Sequence, residues 1–462
     1  MVRVITQDTY DEVVKENIEE FDMTPEEAIK EAVAQFEAQG VDLSNIIKDL
    51  ALSSGENHLI SVAVEKLKEI SSKSEYDDNE LLKELDILMA ECKKDIAHRV
   101  RAGKEGAYGI LIDLLESKLK LYKREQNSRN ELLVTTILKS LTALMEMQPD
   151  LLDDKAMDII KNILDSEENE NVLVSTLQWI SVCCLKHEMN RQGLTKDITN
   201  NLKELLKNKE NKKLLSETLQ VIRRLTLDDD IRVEFGKAHE HARDLGINLL
   251  DTLSELLDES NSPTIVCALL QTTAALLVRH ELCARVRAAL GPLLAAHYDD
   301  AHVAHHAARL ITALAGNDDV KRELVKTGLV PIVVSLLRRH SSNPTTTASM
   351  LKCVSALCLR EASHGRAFLE HGVADVVVEC LNIHENVADV QKNGCWAVRN
   401  MVARYRDHNA KLRELGIEAV LQRAYDKFAD QFGFDIKSAL RDLDCDVKFD
   451  EQWKGRGVQM ER

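Results

Sequence analysis

A tryptophan and an asparagine stand four residues apart in the stretch NGCWAVRNMVAR, residues 393–404. Residues with this spacing lie on one face of an α-helix, so Trp396 and Asn400 are expected to point the same way. A carboxamide both donates and accepts hydrogen bonds, and an indole presents a flat apolar ring with one N–H donor. The pair is therefore a candidate for binding chemistry, and the elements around it must explain its position.

The longer helical segments can be aligned on one position that is expected to be buried. Equivalent positions of the aligned segments then form rows, and Trp396 and Asn400 each belong to one of these rows. The anchors of this alignment are Ile180, Ile222, Thr273, Ile311, Val354 and Val398. Two residues before each anchor stand Gln178, Gln220, Gln271, Arg309, Lys352 and Trp396. Two residues after it stand Val182, Arg224, Ala275, Ala313, Ala356 and Asn400, and six after it stand Lys186, Asp228, Arg279, Asn317, Arg360 and Arg404. Because i, i+4 and i+8 share a helix face, the three rows are predicted to form one strip across stacked helices.

The last row is basic in four of its six members, although the chain has a formal net charge of −17. Arginine forms bidentate bonds with carboxylates and phosphates, so a basic strip favours an acidic or phosphorylated partner segment. An ordinary solvated helix face with compensating charges is the alternative interpretation.

A repeat of 44 residues is the reason to expect that these helices stack. Gly328, Gly372 and Gly416 are separated by this interval, and each opens a short apolar helix, as in GLVPIVVSLL and GVADVVVECL. A polar turn and a longer apolar helix follow, as in TTASMLKCVSALCLREA. Looser copies begin near GAYGILIDLLE. This period is typical of armadillo and HEAT repeats, whose units bury their apolar faces only by stacking on neighbours.

The composition agrees with a helical array and limits the possible functions. Aromatic residues make up 4% of the 462, with only 6 Pro and 18 Gly, which favours long helices. The acidic balance argues against a nucleic-acid partner. No stretch approaches the roughly 20 apolar residues of a membrane helix, and the N-terminus has no apolar run typical of a signal peptide. We expect a soluble, monomeric protein in the cytoplasm, and the sequence leaves entry into the nucleus open.

The N-terminal segment has helix signals of its own. Thr24, Pro25 and Glu27 form a capping box with proline at the first helical position, and Gly40 ends that helix. A second short helix is predicted over residues 42–52. The polar stretch SSKSEYDDNE then separates this segment from the repeats.

Motifs for catalysis and metal binding are weak. No P-loop, G-x-G-x-x-G or G-x-S-x-G motif occurs, and the ten cysteines contain no C-x-x-C pair, so buried reduced thiols are predicted. His302 and His306 have the i, i+4 spacing of zinc ligands, but no third ligand stands at a suitable distance. A His-metal enzyme is the weakest hypothesis. The sequence predicts no enzyme, no cofactor and no metal.

The runs ENIEEF and AVAQFEAQGVDLSNI, followed by these repeats, resemble the armadillo repeat-containing protein 6 family of the armadillo-repeat superfamily. The resemblance implies a non-enzymatic interaction protein. The spacing of Trp396 and Asn400 is also similar to that of armadillo nuclear-import adaptors, where the asparagine bonds a peptide backbone and the tryptophan packs on its side chains. The other five repeats lack both residues, so a full peptide ladder for a basic localisation signal is not expected.

The family resemblance also suggests histidine methylation in the stretch KAHEHARD. His239 and His241 form a His-x-His motif, which we expect in an exposed loop. Glu240 departs from the small middle residue that such enzymes prefer. A plain polar loop without modification is the alternative.

Together these patterns predict an all-α, right-handed α-solenoid of armadillo repeats with an N-terminal helical segment. Its divisions are an N-terminal cap over 1–100, the repeat array over 101–445 and a polar tail over 446–462. The predicted function is a scaffold that binds a protein or peptide segment in the concave groove. The groove residues are Gln178, Lys186, Arg224, Gln271, Arg279, Lys352, Arg360, Trp396, Asn400 and Arg404. The alternative is a transport factor or enzyme regulatory subunit that binds a folded partner through the N-terminal helices or the convex face.

Overall fold

The protein is all-α in a computed structural model that describes residues 5, 7–43, 46, 48, 59–73, 76–286 and 290–448. These ranges hold 24 α-helices and no β-strand, which confirms the predicted fold class. In chain order the helices are α1 (Gln7–Phe21), α2 (Pro25–Ala38), α3 (Leu59–Ser72), α4 (Asp78–Cys92), α5 (Ile96–Lys104), α6 (Ala107–Arg124), α7 (Ser128–Met145), α8 (Asp154–Ser166), α9 (Glu170–Cys183), α10 (Glu188–Leu206), α11 (Lys212–Leu225), α12 (Ala238–Leu256), α13 (Pro263–Leu276), α14 (His280–Cys283), α15 (Leu290–Ala296), α16 (Ala301–Leu314), α17 (Asp318–Lys326), α18 (Leu329–Arg339), α19 (Pro344–Cys358), α20 (Ala362–Glu370), α21 (Val373–Ile383), α22 (Ala388–Val402), α23 (Asn409–Glu414) and α24 (Ile417–Asp442).

The chain divides into two compact units, Met1–Asn248 and Leu249–Arg462. The division falls inside α12. The predicted boundaries near residues 100 and 445 are not tested by this division and stay predictions. The polar tail lies outside the described residues from position 449 onward.

The first unit begins with a hairpin of α1 and α2 that has its own apolar core. Tyr10, Val14, Ala28, Ala32 and Phe36 pack together in it. The predicted capping box at the start of α2 is confirmed, with both reciprocal hydrogen bonds between Thr24 and Glu27. The short helix predicted over 42–52 lies mostly outside the described residues.

The rest of the first unit is a stack of helices. The helices α4, α7, α9 and α11 pack one against the next, and α3, α6, α8 and α10 each pack against a member of that row. The α3–α4 pair, which the sequence assigned to the N-terminal cap, stacks on α6 and α7 in the same way.

The second unit repeats this arrangement. The helices α13, α16, α19, α22 and α24 pack successively, and α15, α18 and α21 flank them. Gly328, Gly372 and Gly416 precede α18, α21 and α24 with φ values of +87°, +76° and +82°. A Cβ is strained in this left-handed region, which explains why the 44-residue interval is marked by glycine.

The helical alignment also holds in its core positions. All six anchors, in both units, are at most 1% exposed.

Eight of the ten cysteines are buried and none forms a disulfide. Burial raises the pKa of the Cys92, Cys353 and Cys380 thiols to about 12, so these thiols stay protonated. Among the described residues no helix combines the length and apolarity needed to cross a membrane.

Candidate partner-binding site

The first two predicted rows lie on the third helices, by which we mean α9 and α11 in the first unit and α13, α16, α19 and α22 in the second. Every member of these two rows is half-buried or exposed, so neither row belongs to the core. Trp396 and Asn400 both lie on α22 and are both half-buried. This part of the predicted strip is confirmed as helical surface.

The third row is wrong as a helical row. The helices end before it, α19 at Cys358 and α22 at Val402, so Arg360 and Arg404 lie in the turns that follow. Lys186 and Arg360 have positive φ values of +52° and +66°, which no α-helix contains. The i+8 rule fails here because the chain leaves the helix two to three residues before the basic position.

Trp396 already has a cation on its ring. The Lys392 Nζ atom lies 4.9 Å from the ring centroid, in cation–π geometry. The spacing of four residues on α22 produces this contact. One face of the indole is therefore covered from within its own helix.

Asn400 is tied to the neighbouring helix. Its Nδ2 donates to the Ser355 carbonyl oxygen at 3.0 Å and to the Ser355 Oγ at 2.9 Å. A carboxamide nitrogen carries two hydrogens, so both donors are used and only Oδ1 remains to accept a further bond. The predicted clamp on a peptide backbone is thus limited to its acceptor half, while the donors connect α22 to α19.

Similar bonds join the other third helices, and we call them rungs. In the second unit Gln271 bonds His306 at 2.6 Å, and Ser349 bonds His305 at 2.8 Å. Asn393 donates to the Ala348 carbonyl oxygen at 3.0 Å. In the first unit the rungs join Gln178 to Glu217 at 2.8 Å and Gln220 to Ser181 at 3.2 Å. Several predicted groove residues therefore hold the stack together.

We expect Asn400→Ala to lower the free energy of unfolding by about 1 kcal/mol and Ser355→Ala to lower it by less, because the Ser355 backbone carbonyl oxygen still accepts from Asn400 in that variant. The double variant should lose little more than Asn400→Ala alone, since both changes remove the bond between the Asn400 Nδ2 and the Ser355 Oγ. Urea denaturation of the four proteins in a double-mutant cycle measures the coupling. Lys392→Ala, which touches no rung, serves as the control. Simple additivity of the two changes would show that the rung contributes nothing to stability.

The second unit carries a group of cations without ion pairs, which we call the basic face. Its members lie on or just after α13, α16, α19 and α22, and they are Arg279, Arg309, Lys352, Arg360, Lys392 and Arg404. Within the described ranges none has a carboxylate oxygen within 4.0 Å. All except Lys392 are exposed. The alignment placed Arg309 in the first row but not in the predicted site, and it missed Lys392.

Some other cations of the same unit have ion pairs. Arg322 lies 2.8 Å from Glu361, Arg339 lies 2.7 Å from Asp299, and Arg366 lies 2.7 Å from Glu370. The unit therefore presents both paired and unpaired cations, and the basic face is the unpaired set on and just after the third helices.

The remaining predicted groove residues, Gln178, Lys186 and Arg224, belong to the first unit. The Lys186 backbone N–H donates to Asp229 at 3.1 Å, and its carbonyl oxygen accepts from Arg232 at 2.8 Å. The Arg224 Nε is buried and has no hydrogen-bond partner in the described part of the chain. The ten predicted residues thus fall into two groups, one in each unit.

A buried charged network beside this group was not anticipated. Arg191 is fully buried, and its guanidinium donates to Glu188 at 3.1 Å, to the Cys184 carbonyl oxygen at 2.9 Å and to Asp229. Glu188 also accepts from the Lys237 backbone N–H at 3.0 Å. Burial alone would raise the Glu188 pKa, but these hydrogen bonds outweigh it and lower that pKa.

The expected exposed loop around the His-x-His motif is wrong. His239 and His241 lie in the first turn of α12, because the helix begins at Ala238. His239 is exposed, whereas His241 is 5% exposed and its Nε2 lies 2.9 Å from Glu188. Sequence spacing cannot reveal this partner, which is 53 residues away. Methylation of either histidine stays a prediction.

The other histidine pair is divided between two roles. His306 forms the rung with Gln271, while His302 is exposed at the start of α16. No group of three or more His, Cys, Asp or Glu residues is placed to hold a metal ion in the residues that the structure describes.

Comparison with known proteins identifies the family of this chain. The ARMC6 family model matches residues 60–460, and the model of the armadillo repeat-containing protein 6 N-terminal domain matches residues 2–78. The Drosophila melanogaster armadillo repeat-containing protein 6 homolog is 43% identical over 80% of this chain and 81% of its own length. Armadillo repeat-containing protein 6 of Homo sapiens is 33% identical over 78% of this chain and 75% of its own.

A solved structure supports the fold alone. The crystal structure of an engineered protein aligns with a TM-score of 0.64 at 15% identity, over 94% of this chain and 98% of the other. The family models cover most of the chain, and the relatives share a third or more of the aligned residues. The chain therefore belongs to the armadillo repeat-containing protein 6 family.

Proposed function

We propose that this protein is a non-enzymatic scaffold whose basic face binds an acidic, extended segment of a protein partner. The observation that carries the proposal is the basic face itself. Six cations on consecutive repeats lack ion pairs among the described residues, in a chain whose formal charge is −17. Since most of the molecule repels acidic chains, binding of such a partner is directed to this surface.

The chemistry of the basic face suits carboxylates. Four of its members are arginines, which form two parallel hydrogen bonds with one carboxylate, and the exposed part of Trp396 offers apolar contact. A single exposed ion pair contributes only about 0.2–1 kcal/mol, so affinity requires several at once. A solenoid surface meets that requirement because successive repeats present successive side chains.

The test uses a fluorescein-labelled poly-glutamate peptide and fluorescence polarisation at low ionic strength. Arg309→Gln, Lys352→Gln and Arg404→Gln together form the face variant. We expect its affinity to fall roughly tenfold or more, because three ion pairs of about 0.5 kcal/mol each sum to the 1.4 kcal/mol of one decade. Salt should weaken wild-type binding as well.

The matched control removes equal charge elsewhere in the same unit. Arg322→Gln, Arg339→Gln and Arg366→Gln replace three cations that already have partners. We expect less than about a twofold change in affinity, since these cations are not available to the peptide. Equal loss in both variants would mean that only net charge matters and would reject the basic face as a site.

Binding of a folded partner through the N-terminal helices remains the competing prediction. It is favoured if affinity capture from cells yields the same proteins with the face variant as with wild type. The proposal requires that a set of acidic partners be lost.

A further inference from the structure

The N-terminal hairpin is the most acidic part of the molecule. Residues 7–38 hold eleven Asp and Glu against two Lys, a formal charge of −9 out of −17 for the whole chain. On α1 the exposed Glu12, Glu16 and Glu20 follow each other at i, i+4 and i+8. This spacing lines three carboxylates along one side of the helix, about 6 Å apart along its axis.

The hairpin presents these carboxylates while it stays in place. Its apolar residues pack into its own core, and Asp11 is bound by Lys104 of α5 at 2.6 Å. Glu12, Glu16 and Glu20 have no ion pair among the described residues. Their side is therefore open without any rearrangement of the first unit.

An aromatic residue ends the acidic helix. Phe21 is 62% exposed at the last position of α1, between Glu20 and Asp22. The basic face offers a matching combination, since half-buried Trp396 stands among cations. The two surfaces are complementary in charge and in aromatic content.

We propose that the basic face also receives the acidic hairpin of a second copy of this chain, an inference that rests on the function proposed above. Glu12, Glu16 and Glu20 would pair with the unpaired cations, and Phe21 would contact the aromatic part. Each hairpin stays held by Lys104 on its own first unit while it presents these carboxylates to another copy. The hairpins of other copies then compete with the acidic partner segment for the basic face.

The contact joins different surfaces on the two copies. Such a heterologous interaction grows by head-to-tail addition, so its extent depends on concentration. It also weakens with salt, because the attraction is between exposed charges. The sequence analysis predicts a monomer, whereas this contact predicts association of the protein with rising concentration.

Sedimentation velocity at low ionic strength over a concentration series tests the contact with full-length protein. The hairpin variant is Glu12→Gln, Glu16→Gln, Glu20→Gln, and the face variant is the one defined above. We expect wild type to associate with rising concentration and each variant alone to remain monomeric. Mixing the two variants should give a one-to-one dimer that does not grow, since one copy contributes only a hairpin and the other only a basic face.

The control variant Glu168→Gln, Glu210→Gln, Glu259→Gln removes three exposed carboxylates from turns between other helices and should associate like wild type. Monomeric wild type at every concentration, or a mixture of variants that stays monomeric, overturns the proposal. Tighter poly-glutamate binding by the hairpin variant than by wild type, at a concentration where wild type is itself monomeric, would instead place the hairpin on its own chain, which also overturns it. Poly-glutamate binding separates the two proposals, because a failed self-contact leaves that binding intact.

Discussion

Replacement of Arg191 by Met is expected to lower the free energy of unfolding of the first unit by about 3–5 kcal/mol. The side chain is 1% exposed and is the cation shared by Glu188 and Asp229. Methionine fills a similar volume but leaves the Glu188 carboxylate, 4% exposed, without its positive partner. A buried charge that loses its partner is among the costliest point changes.

Urea denaturation monitored by circular dichroism measures this loss. The unfolding transition that moves to lower urea in the Arg191→Met variant is assigned to the first unit. Arg124→Met is the matched control, because Arg124 is exposed at the end of α6 and the same substitution there should change stability by less than about 0.5 kcal/mol. A Glu188→Gln change added to Arg191→Met should recover part of the stability, since it removes the unpaired charge. If Arg191→Met matches the control, the network is not a stabilising feature.

Replacement of Gly365 by Ala is expected to destabilise the second unit by about 1–3 kcal/mol, through a clash rather than through helix propensity. A Cβ at this position in α20 would lie 2.6 Å from the Met401 carbonyl oxygen and 3.2 Å from its Cα, both in the backbone of α22. Backbone atoms cannot rotate away, so α20 and α22 must separate. The basic face should then also bind poly-glutamate less tightly, because α22 carries part of it.

Gly109→Ala is the matched control for this change. Gly109 also lies inside a helix, α6, and nothing stands within 4 Å of the Cβ it would gain. Alanine there should stabilise the protein by about 0.5–1 kcal/mol because it has the higher helix propensity. Thermal denaturation of both variants gives the comparison. A shift of the same sign in both would contradict the close approach of α20 and α22.

The repeat architecture was predictable because its signals are local. The 44-residue interval of Gly328, Gly372 and Gly416 follows from the left-handed turn that each one forms. The capping box of Thr24 and Glu27 spans four residues, and the buried anchors follow helical periodicity. Each of these features depends on neighbours in the chain, and propensity rules describe such neighbours well.

The site was less predictable because its contacts are distant in sequence. The Asn400 donors reach Ser355, 45 residues earlier, and His241 reaches Glu188, 53 residues earlier. The basic third row was misplaced because nothing local marks the positive φ of Arg360, a residue type that rarely adopts it. Absence of ion pairs, which defines the basic face, is visible only once all neighbours are known.

The rungs also specify the order in which the repeats follow one another. Each uses a different pair of side chains: Gln271 with His306, His305 with Ser349, and Asn400 with Ser355. A repeat moved to another place in the array would bring its polar group against the wrong neighbour and lose the hydrogen bond. A partly buried polar group without a partner costs about 1–3 kcal/mol, so the units of this array are not interchangeable parts.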